Sequence, residues 1–392
     1  MTSNSPLAPA IPVVRPTPTP FIGAGDARMV PAPASLLTSP ALVASWDAIS
    51  NWASEPNPFY ESWFLRPALQ LFNADAHAQL MKMDIDGDFA GLMPLCRASH
   101  YYGWPVPIMG NWLHPNCFLG APLVTAGAER AFWQALFNWA DHNCTRELFF
   151  HLRDIPLDGA LHSALQDVLA DEGRGATLVR RQARVVLKSQ LCAEDYWQAS
   201  LSGKKRKELR RQASRLAELG ALEFHRQRDM VGVDQWIQQF LALEAAGWKG
   251  AAGSALDCSA STRDLFAEAL RGAAHRRRLE RLTLTLDGRP IAMLANFWAA
   301  PAIFSFKTAF DERLAAYSPG VLLQRANLDV LDNQAITWSD SCAYDDHPMI
   351  AHLWRERRML GSYNIAIGGK ARRFAFSQFA RVELARSPLG TE

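Results

Sequence analysis

Ser339-Asp340-Ser341-Cys342-Ala343-Tyr344-Asp345-Asp346-His347-Pro348 places three carboxylates, two hydroxyls, a thiol, a phenol and an imidazole within ten residues. An imidazole titrating near neutrality can take a proton from an attacking group, and a neighbouring carboxylate fixes its orientation. His347 is thus a candidate general base, with Asp340 or Asp346 as its orienting partner. Asp346 and His347 equally fit a plain cap of a helix beginning near Pro348, and both readings stand at this level. A second group, Tyr317-Ser318-Pro319-Gly320-Val321, has serine at an N-cap position, proline at the first helical position and glycine beside it. That describes a helix start whose backbone N–H groups and positive dipole end can hold phosphate oxygens, or an ordinary capped helix with no ligand.

The elements that must position these residues follow from the hydrophobic pattern. In the second part of the chain the spacing predicts a basic helix (203–219), a strand (222–227), helices through 236–246 and 262–278, and strands 281–286 and 290–297 joined at Asp287-Gly288. Asp-Gly between alternating strands is a strong hairpin signal. A strand (302–310), the helix at Ser318, a strand (335–339), a helix (348–358) and a strand (362–367) follow. Both candidate groups therefore lie just past strands, where ligand crevices of open α/β sheets form.

The first part repeats this order more loosely. Helices at 43–53 and 61–72 precede strands 79–85 and 89–96, which flank Asp86-Gly87-Asp88. A Trp- and Pro-rich stretch, a helix (128–139), a strand (148–152), a helix (158–171) and a strand (177–187) complete it. The expected fold class is α/β with mixed sheets, used twice: one domain over 41–188 and another over 189–385. Residues 1–40 hold nine of the 23 prolines and few aromatic anchors, which predicts a disordered tail. The net charge of +2 divides unevenly: residues 1–180 carry ten basic and 16 acidic side chains, the remainder 31 and 23. An anionic ligand is expected on the second half.

The element order of that half resembles the GNAT acyltransferase fold, whose mixed sheet splays at its centre to admit an acyl-coenzyme A. A tandem pair resembles the FemAB-related group and, more closely, the CelD-like acetyltransferases. Leu243-Glu244-Ala245-Ala246-Gly247-Trp248-Lys249-Gly250, with Gly253-Ser254-Ala255-Leu256, is similar to that family's LE…WKG…GSAL stretch. Phe306-Lys307-Thr308-Ala309-Phe310-Asp311-Glu312, followed by Tyr317-Ser318-Pro319-Gly320-Val321-Leu322-Leu323, is similar to its KTAYDE…YSPGVLL stretch. The resemblance spans about residues 195–370 and implies N-acyl transfer, with acyl-coenzyme A as co-substrate, an amine as acceptor and no metal. It makes residues 317–321 the expected pyrophosphate cradle. Against the GNAT phosphate pattern (Gln or Arg, two residues, Gly, one residue, Gly or Ala), Gly320 falls on the last position, with Ala315 and Ser318 on the other two. Glu244 is implied as a water-mediated proton relay and Lys307 as a contact to acceptor or carbonyl; a buried ion pair between helix and sheet is the alternative for both. Some members acylate long-chain amines, as in bacterial ceramide synthesis, so a lipid acceptor is among the expectations. Two rivals remain: transfer from an aminoacyl-tRNA in the FemAB manner, and a non-catalytic partner-binding protein in envelope polysaccharide or lipid synthesis.

Six dispersed cysteines without a close pair suit a reducing compartment. No apolar run is long enough to span a bilayer, and the first residues lack the features of a signal peptide. A cytoplasmic protein is expected, with peripheral contact to the inner membrane face through the basic helix at 203–219. Specific nucleic acid binding is not expected, because no recognition helix or stacking motif accompanies the charge.

Overall fold

The computed structural model describes residues 25–73, 77–345 and 349–386. In the first half the elements are β1 (Ala27–Pro31), α1 (Pro40–Asn51), α2 (Ser62–Phe72), β2 (Gln79–Ile85), β3 (Asp88–Ala98), β4 (Ile108–Asn111), β5 (Leu123–Val124), α3 (Glu129–Asn143), β6 (Phe149–Pro156), α4 (Gly159–Asp171) and β7 (Ala176–Leu187). In the second they are α5 (Ala193–Ser200), α6 (Gly203–Ala217), β8 (Leu222–Gln227), α7 (Val233–Ala245), α8 (Trp248–Ala251), α9 (Ala260–His275), β9 (Leu279–Leu286), β10 (Arg289–Ala299), β11 (Ala302–Phe310), α10 (Pro319–Asn327), β12 (Trp338–Tyr344), β13 (Glu356–Ala366) and α11 (Lys370–Arg386). Both Asp-Gly hairpins form as expected. Asp86 and Gly87 have φ of 52° and 93°, and Asp287 and Gly288 have 49° and 72°, the left-handed pair that a two-residue turn between twisted strands requires.

All described strands join one mixed sheet in the order β1-β2-β3-β4-β6-β13-β7-β12-β11-β10-β9-β8, with β5 on β3. The halves exchange strands: β13 is hydrogen-bonded to β6 of the first half, while β7 lies between β13 and β12 of the second. The exchange is reinforced by ion pairs. Arg358 on β13 makes two bonds of 2.7 and 2.8 Å to Glu55, and Arg278 lies 3.1 Å from Glu61. Helices cover the sheet with apolar stripes, such as Phe132, Trp133, Leu136 and Phe137 of α3 and Leu265, Phe266, Ala269 and Leu270 of α9.

Three expectations change. Residues 25–40 of the supposed tail are folded: β1 pairs with β2 from Ala27↔Ile85 to Pro31↔Met81, and Met29 and Leu36 are buried. Pro31 is tolerated because β1 is an edge strand, where a missing N–H breaks no ladder bond. Residues 1–24 lie outside the described residues. The helix expected over 348–358 does not form in the described part of that range, which is turns followed by β13 from Glu356. There, pairing of Glu356–Leu360 with Gln182–Val186 outweighs the local helical spacing. Helices α5 and α11 were not anticipated. No described helix is long and apolar enough to cross a membrane.

Candidate active site

The sheet opens at one place in the second half. Strands β11 and β12 run parallel and pair over only three positions, Ala302↔Trp338, Ile303↔Ser339 and Phe304↔Asp340. Beyond them the strands part for two local reasons. The β10–β11 ladder shifts register between Ala295↔Lys307 and Asn296↔Ser305, which leaves Phe306 as an extra residue and bends β11. On β12, Cys342 takes a left-handed φ of 54° and the pairing with β7 breaks between Asp340 and Tyr344. A bend on each strand parts the two past Phe304 and Asp340; this parting is the cleft, with Lys307 on the β11 side and Cys342 on the β12 side.

Lys307 places a cation at this opening. Its Nζ lies 5.0 Å from the ring centre of Phe118 and 5.5 Å from that of Phe306. Part of the side chain is accessible, but the ammonium is crowded by protein; desolvation, then the charge of Lys249, lowers its pKa to about 8, opposed by Glu244. Glu244 does not pair with Lys307. One of its oxygens accepts from Lys249 Nζ at 2.7 Å and the other from the Leu256 N–H at 2.8 Å. The two sequence stretches that carried Glu244 and Lys307 also meet directly, because the Trp248 N–H donates to Glu312 Oε1 at 2.8 Å. Glu244 therefore fixes the turn after α7, and Lys307 is left facing the cleft.

Asp340 is buried in another role. Arg184 of the exchanged strand β7 approaches it at 3.3 Å, and the Cys342 N–H donates to the same oxygen at 2.7 Å. Arg184 also donates to the Phe118 carbonyl at 2.9 Å. One arginine thus ties β12 to the 112–122 loop of the first half. His347 and Asp346 lie outside the described residues.

At the start of α10, Ser318 has a left-handed φ of 54° and its side chain caps nothing within the helix. Its N–H donates to Ala315, Pro319 has none, and the N–H groups of Val321 and Leu322 both return to the Ser318 carbonyl. Only Gly320 is left with a backbone donor for a ligand at this turn. A Cβ on Gly320 would come within 2.9 Å of Sδ at the end of the flexible Met349 side chain, which lies in the segment entering β13. Tyr317 and Val321 are half-buried against neighbouring apolar clusters. This turn offers fewer backbone donors to a ligand than the residue pattern implied.

The first half has the equivalent opening, and it is shut. Strands β4 and β6 pair in parallel over three positions, Ile108↔Phe149, Met109↔Phe150 and Gly110↔His151. There Asn111 bridges the gap: its amide donates to the carbonyls of Arg153 (2.9 Å) and Gly120 (3.1 Å), and its Oδ1 accepts from the Arg153 N–H at 2.8 Å. Gly120 sits so close that a Cβ would lie 2.0 Å from the Arg153 carbonyl oxygen. The loop that seals this cleft carries His114 and Phe118 toward the other one. Sequence reasoning passed over His114, Phe118, Asn111 and Arg184; the available signal was a polar and aromatic run, Asn111-Trp112-Leu113-His114, in a stretch with no secondary-structure period.

Residues 203–347, from α6 to just past β12, match the family model of the acetyltransferase (GNAT) domain. No curated protein matches the chain. Among solved structures, the crystal structure of FemX superposes with a TM-score of 0.55 at 9% identity, over 86% of this chain and 98% of that one. A conserved protein of unknown function from Bacteroides thetaiotaomicron VPI-5482 gives a TM-score of 0.51 at 16% identity, over 83% and 97%. The chain is a tandem GNAT-fold protein. Its second half contains a GNAT domain, and the chain as a whole shares the fold of FemX.

Proposed function

We propose that the chain is an N-acyltransferase whose reacting carbonyl lies in the β11–β12 cleft beside Lys307. The observation that carries this is a desolvated ammonium, without a carboxylate partner among the described residues, at the point where the sheet of a GNAT domain parts. An acceptor nitrogen attacks the carbonyl carbon, a C–N bond forms and negative charge collects on the carbonyl oxygen. The Lys307 ammonium stabilises that charge more than the neutral ground state, which is how a fixed cation lowers a barrier. The C–S bond of a thioester donor then breaks, and the departing thiolate takes up the proton released by the acceptor nitrogen. Acyl-coenzyme A is the leading donor, with Gly320 and the α10 start near its phosphates. The exposed face of α6, with Lys204, Lys205, Lys207, Arg210 and Arg215, supports an anionic partner on this half: donor phosphates or an anionic membrane carrying a lipid amine. The single free N–H of the cradle favours a second reading, in which an aminoacyl ester of tRNA is the donor and a C–O bond breaks instead.

Purified protein assayed with acetyl-, palmitoyl- and other acyl-coenzyme A donors over a panel of amines is expected to release free thiol. If it releases none, the thioester reading fails, and amide formation from aminoacyl-tRNA would then establish the second. The pH profile tests the cation. With a pKa of about 8, Lys307 is charged below that value, so the rate corrected for unprotonated acceptor is expected to fall as pH rises through 8. The same shift affects stability in the opposite sense. Between pH 8 and 10.5 the unfolded lysine holds a proton that the folded one has lost, so its contribution rises with pH across that window. A corrected rate that stays flat to pH 9.5 would remove Lys307 from the chemistry.

A further inference from the structure

The loop that seals the first half's cleft leaves one polar atom unexplained. His114 is 8% exposed, and its Nε2 is buried with no hydrogen-bond partner among the described residues. Its ring lies parallel to that of Phe72 at 5.0 Å and to that of Phe64 at 5.9 Å, with Trp112 at 5.2 Å. The tautomer is fixed by the other nitrogen: the Asn116 N–H donates to Nδ1 at 3.4 Å, so the proton sits on Nε2. A buried N–H without an acceptor is costly, and such groups are rare in folded proteins unless a water or ligand meets them. The imidazole is also neutral, since burial and then the nearby Lys307 charge lower its pKa to about 4. Phe64, stacked on it, meets Phe306 at 5.6 Å, the residue adjoining Lys307. His114 is thus a buried, neutral donor of the first half, packed against Phe64 and within electrostatic reach of Lys307.

We infer that His114 is a second catalytic donor: its Nε2–H meets the oxygen of the reacting carbonyl opposite Lys307, so that the active site is completed by a residue of the first half. This rests on the proposed acyl transfer at the β11–β12 cleft. A neutral donor and a cation together hold the developing oxyanion, whereas two cations would repel each other in the resting protein. It gives the duplicated architecture a purpose. The first half has lost its own opening to Asn111 and contributes its loop to the other.

The test compares wild type with His114→Phe, which keeps the aromatic stack and removes the N–H, and with His114→Gln, which keeps a donor. Burial of an unpartnered N–H predicts that His114→Phe unfolds at the same temperature as wild type or higher. Its kcat is expected to fall roughly 10²-fold, the loss typical of removing one oxyanion donor, with KM little changed, and His114→Gln is expected to recover part of it. In histidine labelled with ¹⁵N, the His114 Nε2 resonance should shift when the ketone analogue of acetyl-coenzyme A binds. Wild-type turnover with an unchanged kcat for His114→Phe and an unmoved resonance would overturn the role of His114 alone. Absence of both turnover and analogue binding in wild type, with every donor above, would overturn it together with the proposed reaction.

Discussion

Lys307→Met is expected to lower kcat by roughly 10²–10³ without lowering thermal stability, because the methylene stem is retained and a desolvated charge is removed. Burial disfavours the charged form of this lysine, and its nearest carboxylate, Glu244, is bonded to Lys249 and the Leu256 N–H. A cation kept in such a place contributes little to folding, so its removal should separate activity from stability. Lys307→Arg preserves charge but not shape. The planar guanidinium must enter the gap between Phe118 and Phe306, where a compact ammonium now lies, and only a fraction of the rate should return. Single-turnover rates with a thioester donor, beside melting curves, make the measurement. A Lys307→Met variant within twofold of wild type would show that the oxyanion is held by other groups.

Arg184→Met is expected to be the most damaging structural substitution, at about 3–5 kcal/mol, the usual cost of leaving one member of a buried ion pair alone. Arg184 and Asp340 are each 1% exposed, and they join β7 of the first half to β12 of the second across the exchanged strands. Methionine fills most of the space but leaves the Asp340 carboxylate with the Cys342 N–H and no counter-charge. The Phe118 carbonyl loses its donor as well, so the loop reaching Lys307 loosens. Replacing both partners with apolar residues should recover much of the lost stability, because no stranded charge remains. Urea unfolding of the two single variants and the double variant gives the coupling. Additive losses would mean that the pair contributes nothing as a pair.

Many regular elements of both halves were legible because their hydrophobic periods are local. Strands Gln79–Ile85, Leu222–Gln227 and Ala302–Phe310 begin and end where alternation does, and both Asp-Gly turns follow from the conformations those residues adopt. The exchange of β7 and β13 was not legible. Which strand pairs with which depends on side chains far apart in sequence, such as Arg358 with Glu55. The same holds at the site. Lys307 was found through its neighbours in sequence, and its lack of a pairing carboxylate among the described residues could not be, since Glu244 stands equally available to Lys249 or Lys307 until the turn after α7 is built. Asp340 was read as a partner for an imidazole, and its tie to Arg184 lies 156 residues away along the chain. His114 sits where the sequence has no period, so only packing against α2 reveals its orphaned nitrogen.

In the proposed reaction the acyl carbonyl is held in the β11–β12 cleft against Lys307. This placement is tested most directly by a crystal structure of the protein with the non-reactive ketone analogue of acetyl-coenzyme A. The ketone oxygen is expected within hydrogen-bonding distance of Lys307 Nζ, about 3 Å, with the phosphates at the start of α10. A bound analogue whose carbonyl lies outside that cleft, with Lys307 still facing the rings of Phe118 and Phe306 alone, would contradict it.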